Sequence, residues 1–227
     1  MAIQLEEVSF SYGKKNSEKV IKNINLAVCK EGLTALIGPN GSGKTTLGKL
    51  VAGIFKPTLG RVLIDGQDTR DLSLGKIGQK IGYVFQDPER QIFAPTVREE
   101  LSFILELKGF NSEEVNKKVE TMLSRFHLSE LKEEFPFYLS RGEKQRLALA
   151  AVLINDPPFL ILDEPTTALD IKRKGELQKI LKDLLDRGIG MLVISHDHKF
   201  VKRYADRVLE MAGGEIFCDK EVGEKVN

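Results

Sequence analysis

Gly38-Pro39-Asn40-Gly41-Ser42-Gly43-Lys44-Thr45 is the stretch from which the rest of the chain can be read. It fits the pattern Gly-x-x-x-x-Gly-Lys-[Ser/Thr]. It follows the apolar run Leu33-Thr34-Ala35-Leu36-Ile37 and leads into a helical stretch predicted over Thr45 to Phe55. The pattern therefore stands in a strand–loop–helix setting. Glycines leave no Cβ in the way, so backbone N–H groups can turn inward. Together with the helix N-terminus they form a nest for a phosphate. Lys44 adds a point charge toward the β- and γ-phosphates, and the Thr45 hydroxyl is a ligand for Mg²⁺. Thr46 closes the run of candidate nucleotide-binding residues that begins at Gly38. A chance glycine-rich turn would match in roughly one chain in a hundred of this length, and the setting lowers that further.

Working outward, Ile3 to Phe10 and Val20 to Val28 mix apolar and polar residues with β-branched character. Both predict antiparallel strands with one wet face. Leu33–Ile37, Phe159–Leu162 and Met191–Ile194 are unbroken apolar runs, which suit strands buried on both faces of a parallel sheet. Leu177, Ile180, Leu181, Leu184 and Leu185 share one helical face, and Gly188 supplies the stop. Glu143 to Ile154 also reads as a helix, ended by Asp156-Pro157-Pro158. The stretch from Thr96 to Glu134 is helix-rich, with strand–helix alternation on either side. The expected organisation is one domain over 1–227: an α/β core from 1–86 and 156–227, with a helical lobe inserted at 87–155.

The strand-like run Phe159-Leu160-Ile161-Leu162 ends in two carboxylates, Asp163 and Glu164. Ligands of open α/β sheets collect at the carboxyl ends of the strands. Asp163 fits a residue holding Mg²⁺ directly or through water. Glu164 is then placed to orient or deprotonate an attacking water. Alone, the pair would read as acids capping the turn before Pro165. Beside the phosphate loop the catalytic reading takes over.

Leu139-Ser140-Arg141-Gly142-Glu143-Lys144-Gln145-Arg146 narrows the field. Read locally, Ser140 is an N-cap with Glu143 three residues on, a capping box opening a helix. The stretch also resembles the Leu-Ser-Gly-Gly-Gln signature of the ATP-binding-cassette (ABC) ATPases. That resemblance implies a nucleotide-hydrolysing P-loop fold: a mainly parallel sheet, an N-terminal antiparallel β part and an inserted helical subdomain. It implies two subunits packed head to tail, with Ser140, the Gly142 backbone and Glu143 covering the γ-phosphate held by the partner's loop. This chain departs by carrying Arg141 for a glycine and Glu143 for the glutamine; Arg141 is expected on solvent-facing or interface surface.

Further positions agree with the resemblance. Gln86, after Ile81-Gly82-Tyr83-Val84-Phe85, stands where a glutamine reaches Mg²⁺ and the water. Ala168-Leu169-Asp170 resembles a loop lying along the dimer interface; the local alternative is Asp170 capping the next helix. His196 matches a histidine that bonds the γ-phosphate, whereas His198 matches nothing and is expected exposed. Tyr12 resembles the aromatic that stacks on adenine, with core packing as the alternative. The wording Gln86-Asp87-Pro88-Glu89-Arg90-Gln91-Ile92-Phe93 looks most like the ATPases of energy-coupling-factor importers, which serve vitamins and metal ions. Ile92 and Phe93 read either as a partner site or as a small satellite core. The helix carrying Val97, Leu101, Phe103, Ile104, Leu105 and Leu107 suits a groove for a membrane subunit, so docking is expected near Gln86–Leu107.

Composition limits the alternatives. With 34 basic and 33 acidic residues the net charge is +1, which gives no field for nucleic acid or an anionic membrane. The first residues show no basic start and no apolar run, so no secretory leader is expected. The longest apolar run, Leu147 to Ile154, is far short of the roughly 18 residues that span a bilayer. Cys29 and Cys218 lack metal or redox spacing and read as reduced thiols. The expectation is a peripheral ATPase on the cytoplasmic face of a membrane, using ATP and Mg²⁺, partnered by a second ATPase subunit and membrane subunits. A soluble ABC ATPase of DNA repair, translation or iron–sulfur assembly is the alternative.

Overall fold

The computed structural model describes residues 2–13, 18–28, 30–167 and 169–222. Cys29 and Ala168, singled out above, lie outside the described residues. Two sheets organise the chain. In the smaller, β1 (Ile3–Phe10) pairs antiparallel with β2 (Ile21–Val28) on one edge and β4 (Leu59–Ile64) on the other. The two-residue β5 (Gln67–Asp68) extends β4, giving the order β2-β1-β4-β5. The alternation is observed in β2, where Ile21, Ile24, Leu26 and Val28 are buried and the residues between them are not, and in the first half of β1, which ends with Val8, Ser9 and Phe10 all buried.

The larger sheet contains β3 (Leu33–Ile37), β6 (Ile81–Val84), β7 (Phe159–Asp163), β8 (Gly190–Ile194), β9 (Arg207–Ala212) and β10 (Glu215–Glu221). Its order is β10-β9-β3-β8-β7-β6. Every neighbouring pair from β9 to β6 is parallel; β10 returns antiparallel after Gly213 and Gly214, both at positive φ. The fold is therefore mixed α/β, with a parallel-rich sheet and a separate antiparallel one. All residues of β7 and β8 are buried, as unbroken apolar runs require.

The helices are α1 (Lys44–Val51), α2 (Leu74–Gly78), α3 (Val97–Leu107), α4 (Ser112–Arg125), α5 (Arg141–Leu153), α6 (Ile171–Asp186) and α7 (His198–Tyr204). Between β6 and β7 the chain is helical, with α3, α4 and α5 and no strand. On α6, Leu177, Leu181 and Leu184 are buried, with Ile180 and Leu185 packed beside them. The large sheet separates two cores. Leu160, Leu162, Met191 and Val193 face α3, α5 and α6. Phe159, Ile161, Leu192 and Ile194 face α1 and the antiparallel sheet.

Two departures from the sequence reading have local causes. The helix after the phosphate loop ends at Val51 rather than Phe55. Gly53 sits at φ 63°, its N–H donates to Leu50 O, and Ile54 N–H donates to Lys49 O, which is a Schellman stop. β4 was not anticipated, because Gly60 and Arg61 break its apolar pattern. Gly60 is required there: at φ 75°, a Cβ would lie 2.3 Å from Glu6 O, beside the register shift in β1.

Candidate functional site

Four parallel strands, neighbours in the order β3-β8-β7-β6, end on one side of the sheet. The loop 38–43 leaves β3, His196 follows β8, Asp163 and Glu164 end β7, and Gln86 follows β6. Sheet topology thus brings together groups spread over more than half the chain. They surround a cleft of 460 Å³ lined by Tyr12, Val20, Asn40, Gly41, Gly43, Lys44, Thr45, Thr46, Gln86, Asp163, Glu164, Ile194 and His196. Gly38, Pro39 and Ser42 belong to the same loop but do not line the cleft. Ser140, Gly142 and Glu143 stand outside it altogether.

The loop needs its glycines. Gly38, Gly41 and Gly43 have φ of 147°, 80° and 101°. A Cβ on Gly38 would fall 2.1 Å from Met211 O, and one on Gly43 2.9 Å from Ile21 Cδ1. Lys44 Nζ donates to Gly38 O at 2.8 Å and Pro39 O at 2.9 Å, closing the loop upon itself. The ammonium expected at the phosphates is here a tie across the loop. Burial lowers the Lys44 pKa, with Glu164 and Asp163 opposing the shift.

Asp163 is 1% exposed. Thr45 Oγ1 donates to its Oδ1 and Tyr83 OH to its Oδ2, each at 3.2 Å. Burial raises its pKa against the pull of those two hydroxyls and of Lys49 and Lys44. Burial, then the Asp163 charge, pushes the Tyr83 phenol up, so it stays a donor. Sequence reasoning missed Tyr83. The available signal was a tyrosine inside a buried strand, whose hydroxyl must find a partner.

Glu164 adopts φ 51°, a left-handed conformation that is uncommon outside glycine. Its N–H donates to Ile194 O at 3.0 Å, and Thr167 Oγ1 donates to its Oε2 at 3.4 Å. Oε1 is buried and lacks an aligned hydrogen bond, although His196 Nε2 stands 3.3 Å away. Burial raises the Glu164 pKa; the nearby His196 works against it. Strain of about 1–3 kcal/mol at such a residue persists only where the surroundings impose it. His196 is exposed at the cleft edge, as is His198 outside it.

These groups suit a hard divalent cation. Magnesium takes one or two carboxylates with hydroxyl, water and phosphate oxygens in an octahedron. Octahedral neighbours at Mg²⁺ lie roughly 3 Å apart, and Thr45 Oγ1 and Asp163 Oδ1 are 3.2 Å apart. Among the described residues no cluster of three His, Cys, Asp or Glu could hold a metal alone. The ligand set would need Thr45, Gln86 and nucleotide oxygens.

Tyr12 shows features of both of its readings. Its ring meets Phe10 and Phe55 edge-on, at 5.1 and 5.6 Å, and its OH shares a 2.7 Å hydrogen bond with Thr46 Oγ1. Even so, 61% of the residue remains exposed. Ser140 caps α5 reciprocally: Glu143 N–H donates to Ser140 Oγ, and Ser140 N–H donates to Glu143 Oε2 at 2.8 Å. Arg141 is exposed. Asp170 caps α6 through Arg173 N–H, the local alternative for that residue.

The family model described as ABC transporter matches residues 21–167. This chain belongs to the ABC transporter family. As an ABC ATPase it has relatives in curated and solved proteins. The energy-coupling factor transporter ATP-binding protein of Methanothermobacter thermautotrophicus is 38% identical over 219 residues, 96% of this chain and 70% of its own. Other relatives are longer, this chain spanning 35–38% of three of them. A cassette solved as a dimer in a post-hydrolysis state, bound to ADP and Pi, shares 30% identity and a TM-score of 0.88 over 96% of this chain and 98% of its own. The cbiO1 cassette of Clostridium perfringens, part of the transporter complex cbiONQ, shares 34% identity and a TM-score of 0.82 over 96% of this chain and 88% of its own. No helix among the described residues is long and apolar enough to cross a membrane.

Proposed function

We propose that this cassette is the motor of an energy-coupling-factor type importer for a vitamin or metal ion, working at the cytoplasmic face of the membrane. ATP would be sandwiched in a head-to-tail dimer. The observation that carries the reading is the division of the site. One half surrounds the cleft, whereas Ser140, Gly142 and Glu143 at the capped start of α5 do not line it. A single copy therefore offers a phosphate cradle without a cover, and a second copy could supply one. The likeness to dimeric cassettes and to the energy-coupling factor and cbiO1 proteins supports the rest.

In this reading the loop N–H groups cradle the phosphates, and Lys44 exchanges a loop carbonyl for a phosphate oxygen. Tyr12 offers its exposed face to the adenine. Mg²⁺, held by Thr45, Asp163 and Gln86, would neutralise charge on the phosphates. Glu164 takes the proton of the attacking water, and its raised affinity for protons, from burial, suits it as a base. His196 holds the γ-phosphate and keeps Glu164 aligned. Ser140, the Gly142 backbone and Glu143 close over the partner's nucleotide. Hydrolysis removes those contacts and reopens the pair, a population shift driven by affinity for the closed state. Phe93 and Phe103, exposed and packed edge-to-face at 4.9 Å, mark the docking surface for a membrane subunit.

Glu164→Gln tests the chemistry. Turnover should fall by about 10²–10⁴-fold while ATP still binds, and light scattering should show a dimer with Mg-ATP. Hydrolysis at the wild-type rate, or a monomer under both conditions, would count against the assignment.

A further inference from the structure

Away from the nucleotide cleft, a second cavity of 640 Å³ opens between α4 on one side and α6 with the loop after α5 on the other. The volume is that of a small-ligand site, and the lining is mostly charged or polar, with a smaller apolar part. Here the apolar lining comes from Phe110, Met122 and Ile154. The charges around it are unevenly matched. Lys118 Nζ pairs with Asp156 Oδ2 at 2.8 Å and lies 5.7 Å from the centre of the Phe110 ring. The Glu114 carboxylate is committed to the Asn111 N–H at 3.2 Å, in the capping box of α4.

Three cations of the lining have no hydrogen-bonded carboxylate among the described residues, two of them, Lys117 and Arg187, on exposed side chains. Arg125 Nη2 is buried with no hydrogen bond, and its nearest carboxylate oxygen, on Asp183, is 3.7 Å away. Burial lowers the Arg125 pKa, and the neighbouring Arg187 lowers it further. Lys117 and Arg187 line the same cavity and carry no ion pair among the described residues. A guanidinium nitrogen buried without an acceptor is costly, and that is the state of Arg125 Nη2, although the side chain as a whole is 23% exposed. An anion would supply the acceptors, and the ring and aliphatic lining would cover an apolar body attached to it.

We propose that this cavity binds a small organic anion, an aryl phosphate or carboxylate. Its head group sits on Lys117, Arg125 and Arg187, and its apolar part lies against Phe110 and Met122. Such a ligand touches α4 and α6 at once and clamps the helical region onto the sheet core. The proposal is independent of the nucleotide chemistry, since none of these residues lines the nucleotide cleft.

The test uses the full chain saturated with Mg-ADP, so that the cleft is filled, titrated with naphthyl phosphate and followed by its fluorescence. Saturable binding with one equivalent is expected, with a rise in the thermal midpoint. The double variant Lys117→Ser, Arg187→Ser alters two exposed side chains without ion pairs and should fold normally. Loss of two charge-assisted contacts should weaken binding by about tenfold or more. Absence of saturation at millimolar probe, or an unchanged affinity in the folded double variant, overturns the proposal.

Discussion

At the residue scale, the site depends on atoms that have no room to move. Gly38 is the clearest case, because the carbonyl of Met211 occupies the place its Cβ would take. That carbonyl belongs to β9, so the substitution would push the loop away from the sheet as well as strain φ. Gly38→Ala should cost about 3 kcal/mol and abolish nucleotide binding, measured by denaturant unfolding and by titration with a fluorescent ATP analogue. Normal binding would show that the loop adjusts around the methyl group. Tyr83 makes a different point. Its hydroxyl holds the second oxygen of Asp163, leaving the first to Thr45. Tyr83→Phe should keep the fold and leave a buried carboxylate short of one donor. A loss of about 1–3 kcal/mol is expected by thermal unfolding, together with weaker Mg²⁺ dependence of turnover. These residues were unequally legible. Lys44, Thr45, Asp163 and Glu164 announce themselves by type and spacing, whereas Tyr83 acquires a role only when β6 lies against β7.

At the element scale, α5 has two uses for its first turn. The capping box satisfies the helix N-terminus within one chain, and the same turn is the proposed cover for a partner's nucleotide. The Ser140 hydroxyl and N–H hold the Glu143 carboxyl below its ordinary 4.5. A group with a depressed folded pKa contributes stability above its unfolded value, and that contribution is lost as pH falls through the depressed value. Ser140→Ala should therefore destabilise the chain by about 1 kcal/mol at neutral pH. The gap from wild type should shrink below pH 4.5, seen in chemical denaturation across pH. A gap constant with pH would mean that the serine works without Glu143. The helix itself could be read in the sequence, since Ser-x-x-Glu before an apolar run is a start signal. What caps α6 could be read only as two alternatives, and Asp170 takes the local one.

At the scale of the whole molecule, two apolar surfaces read alike in the sequence and separate in three dimensions. Ile92 is buried in the core facing α3 and α5, and its neighbour Phe93 is 61% exposed. Along α3, Val97, Leu101 and Leu105 turn inward, while Phe103 and Leu107 remain exposed. Phe93 and Phe103 together form the proposed docking surface, an exposed apolar patch of the kind that suits a partner. Phe93→Ser with Phe103→Ser should change stability by no more than about 0.5 kcal/mol and leave ATP turnover of the isolated chain near wild type. Recovery with membrane partners from detergent extracts should fall sharply. Unchanged recovery would move the docking surface elsewhere.

The sequence by itself determined the loop, its strand–loop–helix setting, the buried parallel strands and the order of the motifs. Those features depend on spacing and local chemistry, which neighbours in the chain supply. Only the tertiary structure decided which strand ends meet, that Tyr83 serves Asp163, that Lys44 ties its own loop, and that Glu164 takes a left-handed backbone beside His196. It also decided β4, whose glycine conceals a strand, and the cavity between α4 and α6. Apart from the Lys44 tie, which spans five and six residues, each of these joins residues far apart in the chain through sheet order or helix packing. No local pattern carries information about partners that only the fold brings within reach.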